Sequence, residues 1–284
     1  MARAVKGNPD RLRNIRTADE AIEYYYTLRN CPGSTTRGCF LTKTSYVLDG
    51  DVENMPAGMI YAFDNRGKRF IFKPLQGILS PPELQSERNA AKKMNEGPHL
   101  VRTEYLEARM DSGEAFGGLL MAEYARSLRE MERFSPQLGE DVLLNFAHAM
   151  IEAVNYIHSL DLVHMDIKQS NIFVDSEGNW FLGDFGGCVE VGKKVRECTE
   201  VLLPRVGEES SRVVGQLAEW RFDWMMLATV FAGQLDVLKD MAVNSKGYIT
   251  IEGIRVRFEK VQSDTLKELL CRMLVCDVQA MELI

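Results

Sequence analysis

Two clusters in this chain set polar side chains at spacings that can do chemistry: His164-x-Asp166-x-Lys168-x-x-Asn171, and further on Asp184-Phe185-Gly186. Two carboxylates, an amide and an ammonium suit phosphoryl transfer, which needs positioning and charge neutralisation more than covalent help. A hard divalent cation takes oxygen ligands, and Asn171 and Asp184 can supply them while phosphates and water fill the other positions. Asp166 can accept or orient the proton of an attacking hydroxyl. Lys168, on the same side of an extended segment, reaches a transferring phosphate as a point charge.

The residues between the clusters say how they meet. The runs at 172–174 (Ile-Phe-Val) and 180–182 (Trp-Phe-Leu) are β-like, and Asp175-Ser176-Glu177-Gly178-Asn179 between them reads as a hairpin turn. A hairpin of that length brings the clusters close together, one at each end of the paired strands.

With both clusters in this order around a hairpin, the sequence resembles the eukaryotic-type protein kinases, whose catalytic loop reads H-R-D-x-K-x-x-N and whose metal loop reads D-F-G. The resemblance runs over roughly residues 40–280 and is strongest over 120–230. It implies an α+β, two-lobed protein-kinase-like fold, with a small β-rich N-lobe at 40–122, a hinge at 123–126 and a larger helical C-lobe at 127–284. An N-terminal extension at 1–39 precedes it, with a short helix started by the capping-box pattern Thr17-Ala18-Asp19-Glu20. The resemblance further implies ATP and Mg2+ (or Mn2+) as cofactors and a protein substrate phosphorylated on serine or threonine. By the same resemblance Lys168 sets the chain apart from tyrosine kinases and from small-molecule phosphotransferases of this fold. Asp166 and Lys168 would be catalytic, Asn171 and Asp184 the metal ligands.

The elements that must position these groups follow in order. Residues 40–75 turn β-like over 40–48, 58–63 and 69–75, which the resemblance makes the first three strands of the N-lobe. Phe70-Ile71-Phe72-Lys73 would carry the phosphate-gripping lysine. A charged head in an apolar run needs a partner, and Glu87 on the helix expected at 82–94 is the candidate, with Glu83 one turn earlier as the alternative. The nucleotide-covering loop departs from the family pattern G-x-G-x-x-G. Gly58 fits the third glycine, but the earlier two fall near Glu53 and Met55, within a stretch that also holds Asp49 and Asp51. Bulkier and acidic residues weaken a backbone cradle for phosphate. Either that loop is an insertion pointing away, or triphosphate binding is weak, as in a pseudokinase scaffold with little or no turnover. Ala122-Glu123-Tyr124-Ala125 matches the hinge: the Glu123 carbonyl and Ala125 amide would meet the adenine edge, with Ala122 at the gatekeeper position before a deep apolar pocket.

In the C-lobe, Val142, Leu143, Phe146, Met150, Ala153, Val154 and Ile157 repeat at helical steps over 139–160 and lead into the catalytic loop. By resemblance His164 is a structural hydrogen-bonding residue, and Asp223 on the following large-lobe helix caps the catalytic-loop backbone. Met165 stands where regulated kinases carry a phosphate-reading arginine, so activity should not depend on activation-segment phosphorylation by that route, although Thr199, Ser210 and Ser211 remain modifiable. Leu203-Pro204-Arg205 replaces A-P-E, and Met281 stands where the arginine paired with that glutamate is expected. Both halves of one buried ion pair are then missing together. An amphipathic helix is expected at 265–274.

Composition sets the remaining bounds. An apolar content of 45% with 26% charged residues is that of a globular protein, and a net charge of −7 argues against nonspecific binding to nucleic acid or to anionic membranes. No apolar run is long enough to span a bilayer, and the polar N-terminus lacks a secretory pattern. The six cysteines show no zinc spacing, which points to a reduced, cytoplasmic or nuclear setting. Oligomeric state is left open by the sequence.

Overall fold

Strand-forming runs dominate up to residue 122, helix-forming ones after it, and the computed structural model follows that division. It describes residues 39–41, 47–49, 60–63, 69–74, 81–110, 115–134, 138–204, 212–235, 249–256 and 261–275. The chain forms two units, Met1–Asn95 with Arg102–Glu123, and Glu96–Val101 with Tyr124–Ile284.

The first unit is a closed barrel in the order β1-β2-β3-β4-β6-β5. Its strands are β1 (Cys39–Leu41), β2 (Val47–Asp49), β3 (Ile60–Phe63), β4 (Arg69–Pro74), β5 (Thr103–Met110) and β6 (Ala115–Ala122). Among the described residues, closure pairs each of these strands on both sides. The strand expected at 40–48 is in fact two, β1 and β2, paired antiparallel with Phe40 opposite Val47. At Gly118 a Cβ would meet the Phe72 ring at 2.2 Å and the Lys73 carbonyl oxygen at 2.7 Å, so only glycine lets β4 and β6 approach there.

Helix α1 (Pro81–Met94) belongs to the same unit. Its proline start suits a first turn whose N–H groups have no helical partner. Lys92 and Lys93 in the last turn meet the negative end of its dipole. Ala91 is buried with Leu119, Tyr105 packs on the pair, and the Arg88 guanidinium lies 4.8 Å from the Tyr105 ring centre.

The second unit contains β7 (Arg126–Ser127), α2 (Leu128–Phe134), α3 (Glu140–Ser159), β8 (Leu162–Val163), β9 (Ile172–Val174), β10 (Trp180–Leu182), β11 (Val189–Glu190), α4 (Trp220–Gln234), α5 (Ile251–Val256) and α6 (Asp264–Val275). Along α3 the expected apolar stripe is buried from Leu143 to Ile157, whereas Val142 is 41% exposed in the first turn and faces solvent. The helix ends where Asp161 takes a left-handed φ of 56° and its N–H returns to the His158 carbonyl at 3.0 Å. Helix α4 is buried nearly all round, as the central element of a core must be. Phe146 on α3 meets Trp180 of β10 edge-on at 5.2 Å and stacks on Phe231 of α4 at 6.2 Å, each ring contributing about 2–3 kcal/mol through burial. The β9–β10 hairpin therefore stands on α3, and α3 on α4. Among the described residues no helix is long and apolar enough to cross a membrane.

Candidate active site

The site in the second unit is built outward from Asp223, which is fully buried one turn into α4. An unpaired carboxylate there would be prohibitive, and it has three partners. Oδ2 accepts from the His164 backbone N–H at 2.7 Å and the His158 ring Nε2 at 2.9 Å, and Oδ1 accepts from the Met165 N–H at 2.9 Å. Two consecutive backbone amides are thus aimed at α4, which forces the chain into an unusual bend. Met165 takes it, with φ 64° and its side chain fully buried. A non-glycine residue in this region costs on the order of 1 kcal/mol or more and persists only where surrounding bonds over-determine it.

His164 lies next to this bend and is itself buried. Its Nδ1 accepts from the Asp166 N–H at 3.2 Å, so the proton sits on Nε2, which donates to the Gly183 carbonyl at 3.1 Å. Its ring meets Phe185 edge-on at 5.7 Å. One imidazole therefore ties the 164–171 loop to the Asp184-Phe185-Gly186 turn.

The hairpin between the two clusters has the expected form. Trp180 pairs with Val174 and Leu182 with Ile172, and the Asp175 N–H closes the turn on the Asn179 carbonyl at 3.0 Å. Beyond the strands, the Gly183 N–H donates to the Asn171 carbonyl at 2.9 Å. Asn171 and Asp184 consequently stand on adjoining, mutually bonded backbone.

Asp166 is the hub. Its Oδ2 accepts from Lys168 Nζ at 2.7 Å and from Asn171 Nδ2 at 2.9 Å, and Asn171 Nδ2 also donates to the Asp166 carbonyl at 2.9 Å. Its other oxygen, Oδ1, accepts a short hydrogen bond from the Thr199 hydroxyl. With its amide nitrogen pinned on Asp166, Asn171 presents Oδ1, which among the described residues has a long 3.4 Å contact from Ser170 Oγ. Asp184 is half-buried and left-handed, with φ 61° and ψ 72°. The donors here are oxygens of the kind a hard cation takes, and Asn171 and Asp184 fit that requirement. Among the described residues no three His, Cys, Asp or Glu side chains form a metal site by themselves. A cation held here would complete its shell with phosphate oxygens and water.

Lys73 lies on β4 opposite Leu119 in the first unit, half-buried. Glu87 and Glu83 fall on α1 of that unit, with side chains outside the described residues. Gly58, the acidic loop around it, the N-terminal helix, Arg205, Ser210, Ser211 and Met281 also lie outside the described residues. Ala122 ends β6, and Glu123 follows it. The expectation for Ala125 needs correction. Its N–H donates to the Val174 carbonyl at 3.0 Å, so an amide already engaged in β-type pairing is not the adenine-edge donor.

The sequence marks Thr199 only as a modifiable hydroxyl, whereas the structure sets that hydroxyl on Asp166. It lies far from the loop in sequence and belongs to no short motif. In the structure Asp166 is an acceptor with two oxygens, and Lys168 and Asn171 serve one of them while Thr199 serves the other.

Residues 69–205 match the protein kinase domain family. Over 197 residues the chain is 29% identical to Wee1-like protein kinase 1-A of Xenopus laevis, which covers 63% of this chain and 33% of that protein. It is 24% identical over 198 residues to mitogen-activated protein kinase kinase 7 of Arabidopsis thaliana, covering 64% of this chain and 62% of that one. The serine/threonine-protein kinase mos of Xenopus laevis is 25% identical over 137 residues, 45% of this chain and 38% of the relative. The chain thus spans less than two thirds of the length of each of these relatives.

Proposed function

We propose that this chain, whose residues 69–205 belong to the eukaryotic-type protein kinases, is an enzyme that transfers the γ-phosphate of ATP to serine or threonine hydroxyls of a protein substrate. The observation that carries the reading is the Asp166 carboxylate, held by Lys168 and Asn171 on one oxygen and by Thr199 on the other. Held in this way, it has a fixed direction in which to orient an incoming hydroxyl and take its proton. Lys168 neutralises charge on the phosphoryl group as it moves. Asn171 and Asp184 would hold Mg2+ or Mn2+, which supplies further neutralisation of phosphate charge. Lys73, backed by Glu87 or Glu83, grips the nucleotide phosphates, and Glu123 and Ala122 line the adenine end. Because Met165 offers no cation to a phosphate, the transfer does not wait on an arginine-read phosphate in the activation segment. Six cysteines without metal spacing fit a reduced cytoplasmic or nuclear setting.

The test is incubation with γ-labelled ATP, Mg2+ or Mn2+, and a panel of mixed protein substrates, followed by phosphoamino-acid analysis. Label on serine and threonine is expected. Label on metabolites and not on proteins would replace the substrate class.

One sequence observation favours a second reading, a scaffold with weak or no turnover: glutamate and methionine stand where the nucleotide loop should have glycine. Saturating ATP with Mg2+ should raise the unfolding temperature of an enzyme of the first kind. No shift favours the scaffold.

A further inference from the structure

Thr199 reaches Asp166 from a stretch outside the strands and α-helices, whose turn at 200–202 lies against α4. Residues Glu200–Leu202 form a single 3-10 turn, closed by the Leu202 N–H on the Thr199 carbonyl at 3.0 Å and the Leu203 N–H on the Glu200 carbonyl at 3.1 Å. A lone turn of this kind is marginal by itself. What anchors it is the Glu200 side chain. Its Oε1 accepts from the backbone N–H of Val213 at 3.0 Å and of Val214 at 3.1 Å.

Those two amides adjoin a backbone-bonded frame. The Val195 N–H donates to Gln216 at 2.8 Å, Gly215 to Val195 at 2.8 Å, Ala218 to Lys193 at 2.7 Å and Gly192 to Ala218 at 2.9 Å. Val195, Val213 and Ala218 are all buried. Two residues after Ala218 the chain enters α4, the helix that also carries Asp223. The catalytic loop and the Thr199 turn are therefore referred to one helix by separate routes, the first through Asp223 and the second through Glu200.

We propose that Glu200 is a positioning residue for phosphoryl transfer: by holding the amides of Val213 and Val214 it fixes the turn that sets Thr199 on Asp166. The proposal rests on the kinase reading above. A carboxylate on two N–H donors makes charge-assisted bonds, stronger than the neutral ones of the turn itself. It provides permanently the kind of anionic anchor that a phosphorylated segment gains only on modification.

Four variants test this: Glu200→Ala, Glu200→Gln, Thr199→Val and the double variant Glu200→Ala/Thr199→Val. Glu200→Ala should lower kcat about tenfold with KM for ATP unchanged. Glu200→Gln, which keeps a carbonyl oxygen in place, should recover most of that loss and guards against a folding failure of the alanine variant. If Glu200 acts through Thr199, the double variant is no slower than Thr199→Val. An unchanged kcat in Glu200→Ala, or losses that multiply in the double variant, overturns the proposal. Hydrogen exchange decides it independently of turnover: Glu200→Ala should deprotect the amides of Val213, Val214 and residues 199–203, and unchanged protection there overturns the anchor. A parent protein that transfers no phosphate would sink the kinase reading, while the exchange result still stands for or against Glu200.

Discussion

The loop at 164–171 and the segment at 192–203 are both irregular, and they are held by different means. The loop is held by buried side chains whose chemical identity matters: the Asp223 carboxylate, the His164 ring and the Asn171 amide. The segment is held at 192–195 by backbone bonding to residues 215–218, with the Glu200 carboxylate and the Thr199 hydroxyl as side-chain anchors further on. The difference bears on tolerance. Where a side chain is the fastener, one substitution releases the structure; where the backbone is the fastener, most side chains can change and the geometry persists.

The largest expected effect separates chemistry from fastening within the loop. Asp166→Asn keeps an oxygen for the Lys168 and Asn171 donors but cannot take a proton. Its kcat should fall about 10³-fold, with the unfolding midpoint and ATP binding unchanged. Retained turnover would remove Asp166 from its role.

Asp223→Ala tests the fastener itself. It leaves the N–H groups of His164 and Met165 and the His158 ring without their acceptor in a site with no solvent access. The cost should be about 3–4 kcal/mol of unfolding free energy, read from urea denaturation, and activity should fall with it. A loss below about 1 kcal/mol would mean that the loop is held by something other than these bonds, and the contrast with the backbone-held segment would fail.

The same contrast explains what could be read from the sequence. The hairpin, its turn and the helix at 140–159 were legible, because each depends on residue type at short spacing: alternation, a turn composition, a helical stripe. The role of Asp223 was legible through the family resemblance. Thr199 and the Glu200 anchor were not, since neither contact has a fixed short spacing. The Ala125 amide was misassigned for a related reason. Whether a backbone N–H is engaged depends on its neighbour in space, here Val174, which residue type does not reveal. Val142 shows the limit of periodicity itself, because a first-turn valine fits the apolar repeat and still faces out. The split of the expected first strand into β1 and β2 is likewise a matter of pairing partners.

A smaller effect probes the backbone-held side. Gly215 has φ 94° in the turn that pairs with Val195, and a Cβ there would meet nothing within 4 Å. Gly215→Ala should therefore cost about 1 kcal/mol through backbone strain alone. Gly139, the residue before α3, is equally open but has an ordinary φ of −64°, so Gly139→Ala should be neutral or slightly stabilising. Equal unfolding midpoints for the two variants would show that the 213–218 turn does not constrain the segment.

The smallest expected effect lies in the hairpin turn, where a side chain again fastens backbone but in the open. Burial tends to raise the Asp175 carboxyl, but hydrogen bonds from the Asn179 side chain and from the backbone N–H groups of Asn179, Glu177 and Gly178 outweigh it and hold the group below its ordinary value. A folded-state value below the unfolded one means that the ionised form favours folding. That contribution is fully present above about pH 4 and is lost as the pH falls through the depressed folded value. The stability difference between the parent and Asp175→Ala should accordingly be constant from neutral pH down to about pH 4 and shrink below it. Because the turn is exposed, solvent screening keeps the whole difference small. A difference that grew on acidification would mean that the protonated carboxyl fastens the turn, and Asp175 would then differ in kind from the buried Asp223 with which it shares the task of capping backbone N–H groups.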